Sequence, residues 1–300
     1  QKTVSHLLSS YYSCSDHDRK LKLQQEISDT INKQLEAQAY DPTILAKLKE
    51  INLAENNKFF LWHTWFSDVF SRDDKEGFDI VIGNPPYIGE KGHKEIFQPV
   101  KSDIHLGQYY LGKMDYFYFF FHLAFNMLSP SGVATFITTN YYPTALGARK
   151  LRADIKDRMN IKTLFNLGEL RLFENAPGQH NMISSFAKGK YGCKCQVIDV
   201  HKKGALNPIM FTSIINHIDE DTTYADIAQE DLYDGEENYI RLQNDNENNS
   251  LVSIIRKIEY GNKQLHQIAT INQGIVSGAD KVTNKHLLNY TLNSKKDDGI

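Results

Sequence analysis

Phe78-Asp79-Ile80-Val81-Ile82-Gly83-Asn84-Pro85-Pro86-Tyr87 decides how the rest of the chain is read. Its first five residues are apolar almost without alternation, the pattern of a strand buried on both faces in a parallel sheet, and Gly83 ends the run. Asn84-Pro85-Pro86-Tyr87 then falls at the carboxyl end of that strand, where open α/β sheets bind ligands. Downstream, 114–128 reads as a helix, Ser129-Pro130-Ser131-Gly132 as a turn, and Val133-Ala134-Thr135-Phe136-Ile137-Thr138-Thr139 as a second buried strand. Strand, helix and strand make a parallel crossover unit. A basic helix over 148–159, a third strand over 161–167 and a closing antiparallel hairpin of 181–186 with 196–201 complete the sheet on this side.

Working outward, 18–38 carries Leu21, Ile27, Ile31 and Leu35 near helical spacing among Lys, Gln and Glu, an amphipathic helix. Asp41-Pro42 opens a second short helix, with proline at an early position that tolerates it. The aromatic stretch 59–70 reads as buried structure. Between His217 and Glu247 the only Lys or Arg is Arg241, against eleven acids. Such a stretch repels phosphate and reads as a connector facing away from any nucleic acid. A helix over 251–260 and a strand running from Leu265 into a glycine-punctuated turn at Gly274 and Gly278 open a further domain. The expected division is a helical N-terminal segment (1–55), an α/β core (56–215), the acidic connector (216–250) and the start of a second domain (251–300).

Composition narrows the class. Hydrophobic residues at 41% and charged residues at 24% are ordinary for a globular protein, and 16 Tyr with 16 Phe supply filled cores. A net charge of −3 means that nucleic-acid binding would need a local basic face. The three cysteines, Cys14, Cys193 and Cys195, make no disulfide framework, so reduced thiols and a cytoplasmic setting are expected. No His/Cys partners stand at zinc-ligand spacing from Cys193-x-Cys195, so no metal site is expected. The apolar run 116–128 is shorter than the ~20 residues of a membrane span, and no signal peptide is recognisable.

The chemistry sits in the four-residue loop. The nitrogen of an exocyclic or amide amine is a poor nucleophile because its lone pair is delocalised. A side-chain amide oxygen and a backbone carbonyl that each accept one amino hydrogen would localise the lone pair. Asn84 and the Pro85 carbonyl are placed for this, and two prolines stiffen the loop before substrate arrives. Tyr87 offers an aromatic face to a base swung out of a duplex. The loop after it carries Lys91, His93, Lys94 and Lys101, candidates for contacts with the DNA backbone. Arg149, Lys150, Arg152, Lys156, Arg158 and Lys162 form a second basic group, which reads either as part of a DNA face or as an ordinary solvated helix.

Asn84 to Tyr87, with 60–70, 77–88, 113–140 and 167–189 around it, resembles the gamma-class N6-adenine DNA methyltransferases, most closely the methyltransferase polypeptides of type IIG restriction–modification systems. The resemblance implies a Rossmann-like fold dependent on S-adenosyl-L-methionine, here the C-terminal part of its sheet, and double-stranded DNA with a flipped adenine as substrate. It also implies that Asn84, Pro85, Pro86 and Tyr87 are catalytic and that Tyr87 and Phe173 stack on the target base. Asp68 would contact the cofactor's adenine. Lys113 and Asp115 match a less defined segment, and Asp115 also explains itself as a helix N-cap. The segment from Leu265 resembles the start of a target-recognition domain.

One family feature is missing. No two of the 18 glycines are separated by a single residue, so the glycine-rich cofactor turn is expected upstream of residue 1. The chain then reads as a truncated piece or a natural split whose sheet is incomplete and which alone transfers little or nothing. Three other readings stay open: a protein-glutamine methyltransferase using the same loop, an RNA methyltransferase, and a non-catalytic DNA-binding subunit.

Overall fold

The computed structural model describes residues 2–37, 43, 46, 62–173, 179–189, 192–242, 258, 262–263 and 265–270. The chain divides into two compact units, Gln1–Asn244 and Asp245–Ile300. In the first, α1 (Lys2–Ser13) and α2 (His17–Ala37) form a helical hairpin closed by Val4, Leu8, Ile27 and Ile31. The short helix expected at Asp41-Pro42 lies outside the described residues. Two single-turn helices, α3 (Trp62–Trp65) and α4 (Ser67–Phe70), lead into β1 (Phe78–Gly83). Phe66 and Phe70 meet Phe78 edge to face.

β1 pairs in parallel with β2 (Leu128–Thr139), and between them run α5 (Lys94–Lys101) and α6 (Phe117–Met127). Residues 129–132, expected as a turn, are instead a bulge inside β2. Phe78 pairs with Leu128, but Ile80 already pairs with Val133. Gly132 permits it, since a Cβ there would stand 2.6 Å from the Phe78 carbonyl oxygen.

After α7 (Arg149–Arg158) come β3 (Met159–Asn166), the short β4 (Leu170–Arg171), β5 (Asn181–Lys188), β6 (Cys195–Val200), the short β7 (Gly204–Ala205), α8 (Pro208–Ile215) and β8 (Thr222–Ile227). The six-stranded sheet has the order β1-β2-β5-β3-β6-β8. β5 runs antiparallel to both β2 and β3, and β6 runs parallel to β3. The 181–186 and 196–201 strands therefore do not form the expected hairpin. β5, whose alternate residues Met182, Ser184 and Phe186 are fully buried, is inserted between the two parallel strands, and β6 is placed beyond β3.

Phe117, Phe121, Phe125, Phe136, Phe186, Leu151 and Ile155 build the main core between α6, α7 and the sheet. Phe165, Ile198, Val200 and Ile214 pack α8 on the opposite face. Two further expectations change. The acidic stretch is not a connector: it supplies β8 at the sheet's far edge and a small hairpin, β9 (Tyr233–Asp234) with β10 (Tyr239–Ile240). Among the described residues its acids are mostly exposed, except Asp219, which is buried against Lys202 and Thr222, while Thr222, Ile227, Leu232 and Ile240 are buried. In the second unit the strand expected from Leu265 begins as a helical turn, α9 (Leu265–Ile268), and its continuation beyond 270 lies outside the described residues.

Burial of β1 also departs from expectation. Among the described residues it pairs only with β2, and Ile80 and Ile82 are 72% and 80% exposed. The strand is where the apolar run predicts it, but it is not buried on both faces, because one edge and part of one face have no neighbour among the described residues.

Candidate active site

Asn84, Pro85, Pro86 and Tyr87 leave β1 at the carboxyl edge of the parallel strands. Pro85 is buried while Asn84 is exposed. Tyr87 turns back over the neighbouring strand, where its hydroxyl donates to the Ile137 carbonyl at 2.9 Å and its ring meets Phe117 edge to face. Burial raises the Tyr87 phenol above its ordinary value, partly offset by a hydrogen bond with the Asn181 side chain. The Pro86 carbonyl accepts from the Ile88 amide. The Asn84 amide and the Pro85 carbonyl have no hydrogen-bond partner among the described residues. The main-chain carbonyls of Asn84 and Tyr87 are likewise open, and only the Pro86 carbonyl is engaged.

The loop is anchored on its far side as well. Gly89 bridges Asp115, the Ile88 carbonyl accepts from the Tyr116 amide, and the Glu90 amide donates to the Met114 carbonyl. The Glu90 carboxylate receives the Tyr110 hydroxyl and the Lys113 amide. Gly147 allows the turn before α7 to press against this anchor, for a Cβ there would lie 2.1 Å from the Lys113 carbonyl oxygen. Asp115 is not a helix cap: α6 begins two residues later, and the carboxylate accepts from the Tyr118 hydroxyl at 3.1 Å.

One cavity borders the loop and a second borders the segment that follows it. An apolar one of about 290 Å³ is lined by Asn84, Pro85, Ile82, Trp62, Phe120 and other hydrophobic side chains. A wider one of about 830 Å³ is lined by Lys91, Lys94, Lys101, Lys113, Glu90 and Tyr110 among others. Asp68 is exposed on α4 and does not line the first cavity, where Trp62 stands. Phe173 is half-buried just after β4, in the connection that leaves the carboxyl end of β3 and enters β5. That connection brings it to the same edge of the sheet as Asn84.

Composition did not foretell the polar network on this edge. Asn140 donates to Asn166 Oδ1 at 2.9 Å, and Asn166 donates to Asp199 at 2.7 Å. Asn residues at three successive strand ends were the available signal.

Most of the second basic group is engaged by the chain itself. Arg152 is fully buried and donates to the carbonyls of Tyr142, Ala145 and Glu237 while stacking on Tyr239. Arg149 pairs with Glu237, Lys150 holds the Gln108 and Tyr110 carbonyls, Lys156 reaches Asn238, and Arg158 grips Asp154. Lys162, on β3, is exposed. The five cations of helix α7 are thus engaged by the chain's own carbonyls, acids and Asn238, with Arg149 and Lys156 still exposed at the surface.

Residues 5–173, more than half of the chain, match the Eco57I restriction-modification methylase family. The chain belongs to that family. Among curated proteins, this Eco57I-family chain is 23% identical over 233 residues to the type II methyltransferase M.HindII of Haemophilus influenzae, covering 75% of the chain and 44% of the relative. It is 25% identical over 141 residues to M.HincII of the same species, covering 47% and 28%. The chain thus spans less than half the length of either relative. Solved structures similar to it include the type IIG restriction endonuclease BpuSI (16% identity, 51% and 19% coverage, TM-score 0.36). Another is a type I restriction-modification methyltransferase subunit from Streptococcus thermophilus (16%, 54% and 36%, TM-score 0.39). Likenesses this distant carry no weight for the site. No helix among the described residues is long and apolar enough to cross a membrane, and no group of three or more metal-ligating side chains occurs among them.

The family implies S-adenosyl-L-methionine as methyl donor. The described residues fit it only in part. The cavity beside Asn84 and Pro85 is walled by hydrocarbon, and no charged side chain lines it to receive the donor's polar groups.

Proposed function

We propose that this chain carries the target-base half of a DNA adenine methyltransferase, which uses S-adenosyl-L-methionine to methylate the N6 amine of an adenine swung out of double-stranded DNA, as part of a restriction–modification enzyme. The observation that carries the reading is the pair of open acceptors at the end of β1. Asn84 Oδ1 and the Pro85 carbonyl each take one hydrogen of the target amine, which pulls the nitrogen towards tetrahedral geometry and directs its lone pair. The prolines hold both acceptors in place beforehand, so little reorganisation remains at the moment of reaction. Tyr87 supports the base with a ring whose orientation is fixed by the Ile137 tether, and Phe173 covers its other face. Protein amides and RNA bases carry amines with the same lone-pair problem. The cations on the following loop and the restriction–modification family favour DNA.

The donor's polar contacts, Asp68 apart, come from chain that pairs with the free edge of β1, where Ile80 and Ile82 stand exposed. The test is radiolabelled methyl transfer to duplex DNA by the intact protein, beside Asn84→Ala. Loss of one of two preorganised hydrogen-bonding groups is expected to lower turnover by about 100- to 1,000-fold while DNA affinity changes little. Undiminished turnover in the variant sinks the mechanism, and transfer only to RNA or protein sinks the substrate.

A further inference from the structure

We propose that the 830 Å³ cavity behind the Asn84–Tyr87 loop is a phosphate seat for the DNA strand carrying the target base, with Lys91, Lys94, Lys101 and Lys113 as its cations. The inference rests on the nucleic-acid reading above and names which part of the substrate this surface takes.

The first support is contrast. Five basic side chains of α7 are engaged by acceptors of the chain itself, whereas the ammonium groups of Lys91, Lys94 and Lys113 have no ion-pair or hydrogen-bond partner among the described residues. Lys101 lies over the Tyr110 ring, 5.0 Å from its centroid, a contact that leaves its N–H groups free to donate. The second is the ratio of charges in the wall. Glu90 accepts from the Tyr110 hydroxyl and the Lys113 amide, and Asp115 from the Tyr118 hydroxyl, so neither carboxylate is paired with a lysine ammonium. Four lysines against these two acids leave the wall net positive on a chain whose net charge is −3.

The third support is position. Glu90 stands three positions after Tyr87, a reach of at most about 10 Å. On this proposal the lysines of the cavity that begins at Gly89 take the phosphates beside a base at Tyr87. Lys113 also holds a left-handed backbone, φ 51°, next to Gly112 at φ 89°. A side chain there costs conformational energy that glycine would not. Its presence is explained by what its ammonium does.

The experiment measures binding of a labelled duplex to the intact protein by anisotropy across a salt series. The wild type is compared with K91Q/K94Q/K101Q/K113Q and with a control, K22Q/K33Q/K162Q/K194Q, which removes equal charge from exposed sites elsewhere. Each lost phosphate contact lowers the slope of log K against log salt by about 0.9, so the cavity variant should lose about three to four units of slope and the control none. K113G, which relieves the backbone while removing the charge, should fold normally and lose about one unit. Equal slopes in cavity variant and control overturn the proposal. So does saturable binding of inorganic phosphate that depends on the four lysines without any change in DNA slope, which would mark a free-anion site. Methyl transfer is read on the same samples. A lysine-dependent slope without transfer would sink the methyltransferase reading and leave the phosphate seat standing.

Discussion

His122 lies fully buried between α6 and α7, stacked on Tyr109 at 3.5 Å, with Nδ1 2.6 Å from Asp154 and Nε2 lacking a partner among the described residues. Burial pulls its pKa below the ordinary value, outweighing the opposing pull of Asp154. Burial works to raise the Asp154 carboxyl, but hydrogen bonds from His122 and Arg158 hold it low. The sign for stability follows: the unfolded histidine binds a proton near pH 6.5 and the folded one resists it, so stability is full above that pH and falls as pH drops below it. Between pH 7.5 and 5.5 the melting temperature should fall further in the wild type than in His122→Phe, by calorimetry on matched buffers. Parallel curves would remove the assignment. None of this was legible in the sequence, where His122 is simply a polar interruption in an aromatic helix. By contrast the placement of Asn84 to Tyr87 just past β1 was legible, because Gly83 and the two prolines end the strand locally.

Among the elements, helix α7 shows why charge patterns mislead. Arg149, Lys150, Arg152, Lys156 and Arg158 look like a solvent-facing or DNA-facing array until the β9–β10 hairpin is placed against them. The contact spans 82 to 88 residues of sequence, so no local pattern could announce it. Arg152 is the centre of that joint, with a carbonyl from the hairpin and two from the 142–145 segment. Arg152→Met should destabilise the fold by about 3 to 5 kcal/mol, since several buried carbonyls lose their donor. Chemical denaturation measures the loss, and faster amide exchange at Tyr239 and Ile240 would localise it to the hairpin. The same joint explains the acidic stretch: its charge keeps it wet on one side, while Leu232 and Ile240, spaced too widely to show a period, bury the other. The inserted position of β5 was hidden for a related reason, as strand order depends on which neighbours bury Met182, Ser184 and Phe186 rather than on the strand's own residues.

At the scale of the whole molecule, the strands and helices of the first unit were mostly foreseeable from apolar runs, while their neighbours were not. The continuous hydrophobicity of β1 marks a strand but not the burial on both faces expected of it, since Ile80 and Ile82 face water at the rim of the sheet. That rim carries a consequence for the protein as a solute. An apolar parallel strand with one edge unpaired among the described residues is a template for adding another chain, and nothing on β1 itself discourages this except Asp79, whose carboxyl is held down at about 2 by Arg72 and Lys75. The 300-residue polypeptide kept by itself should self-associate as its concentration rises. Ile80→Lys, a charge of the kind natural edge strands use as a guard, should suppress the growth in light scattering without lowering the melting temperature. If the chain stays monomeric at high concentration, its own residues already shelter the rim. If it does not, storage life, crystallisation and any attempt to recombine it with a second polypeptide will be governed by competition for that single strand.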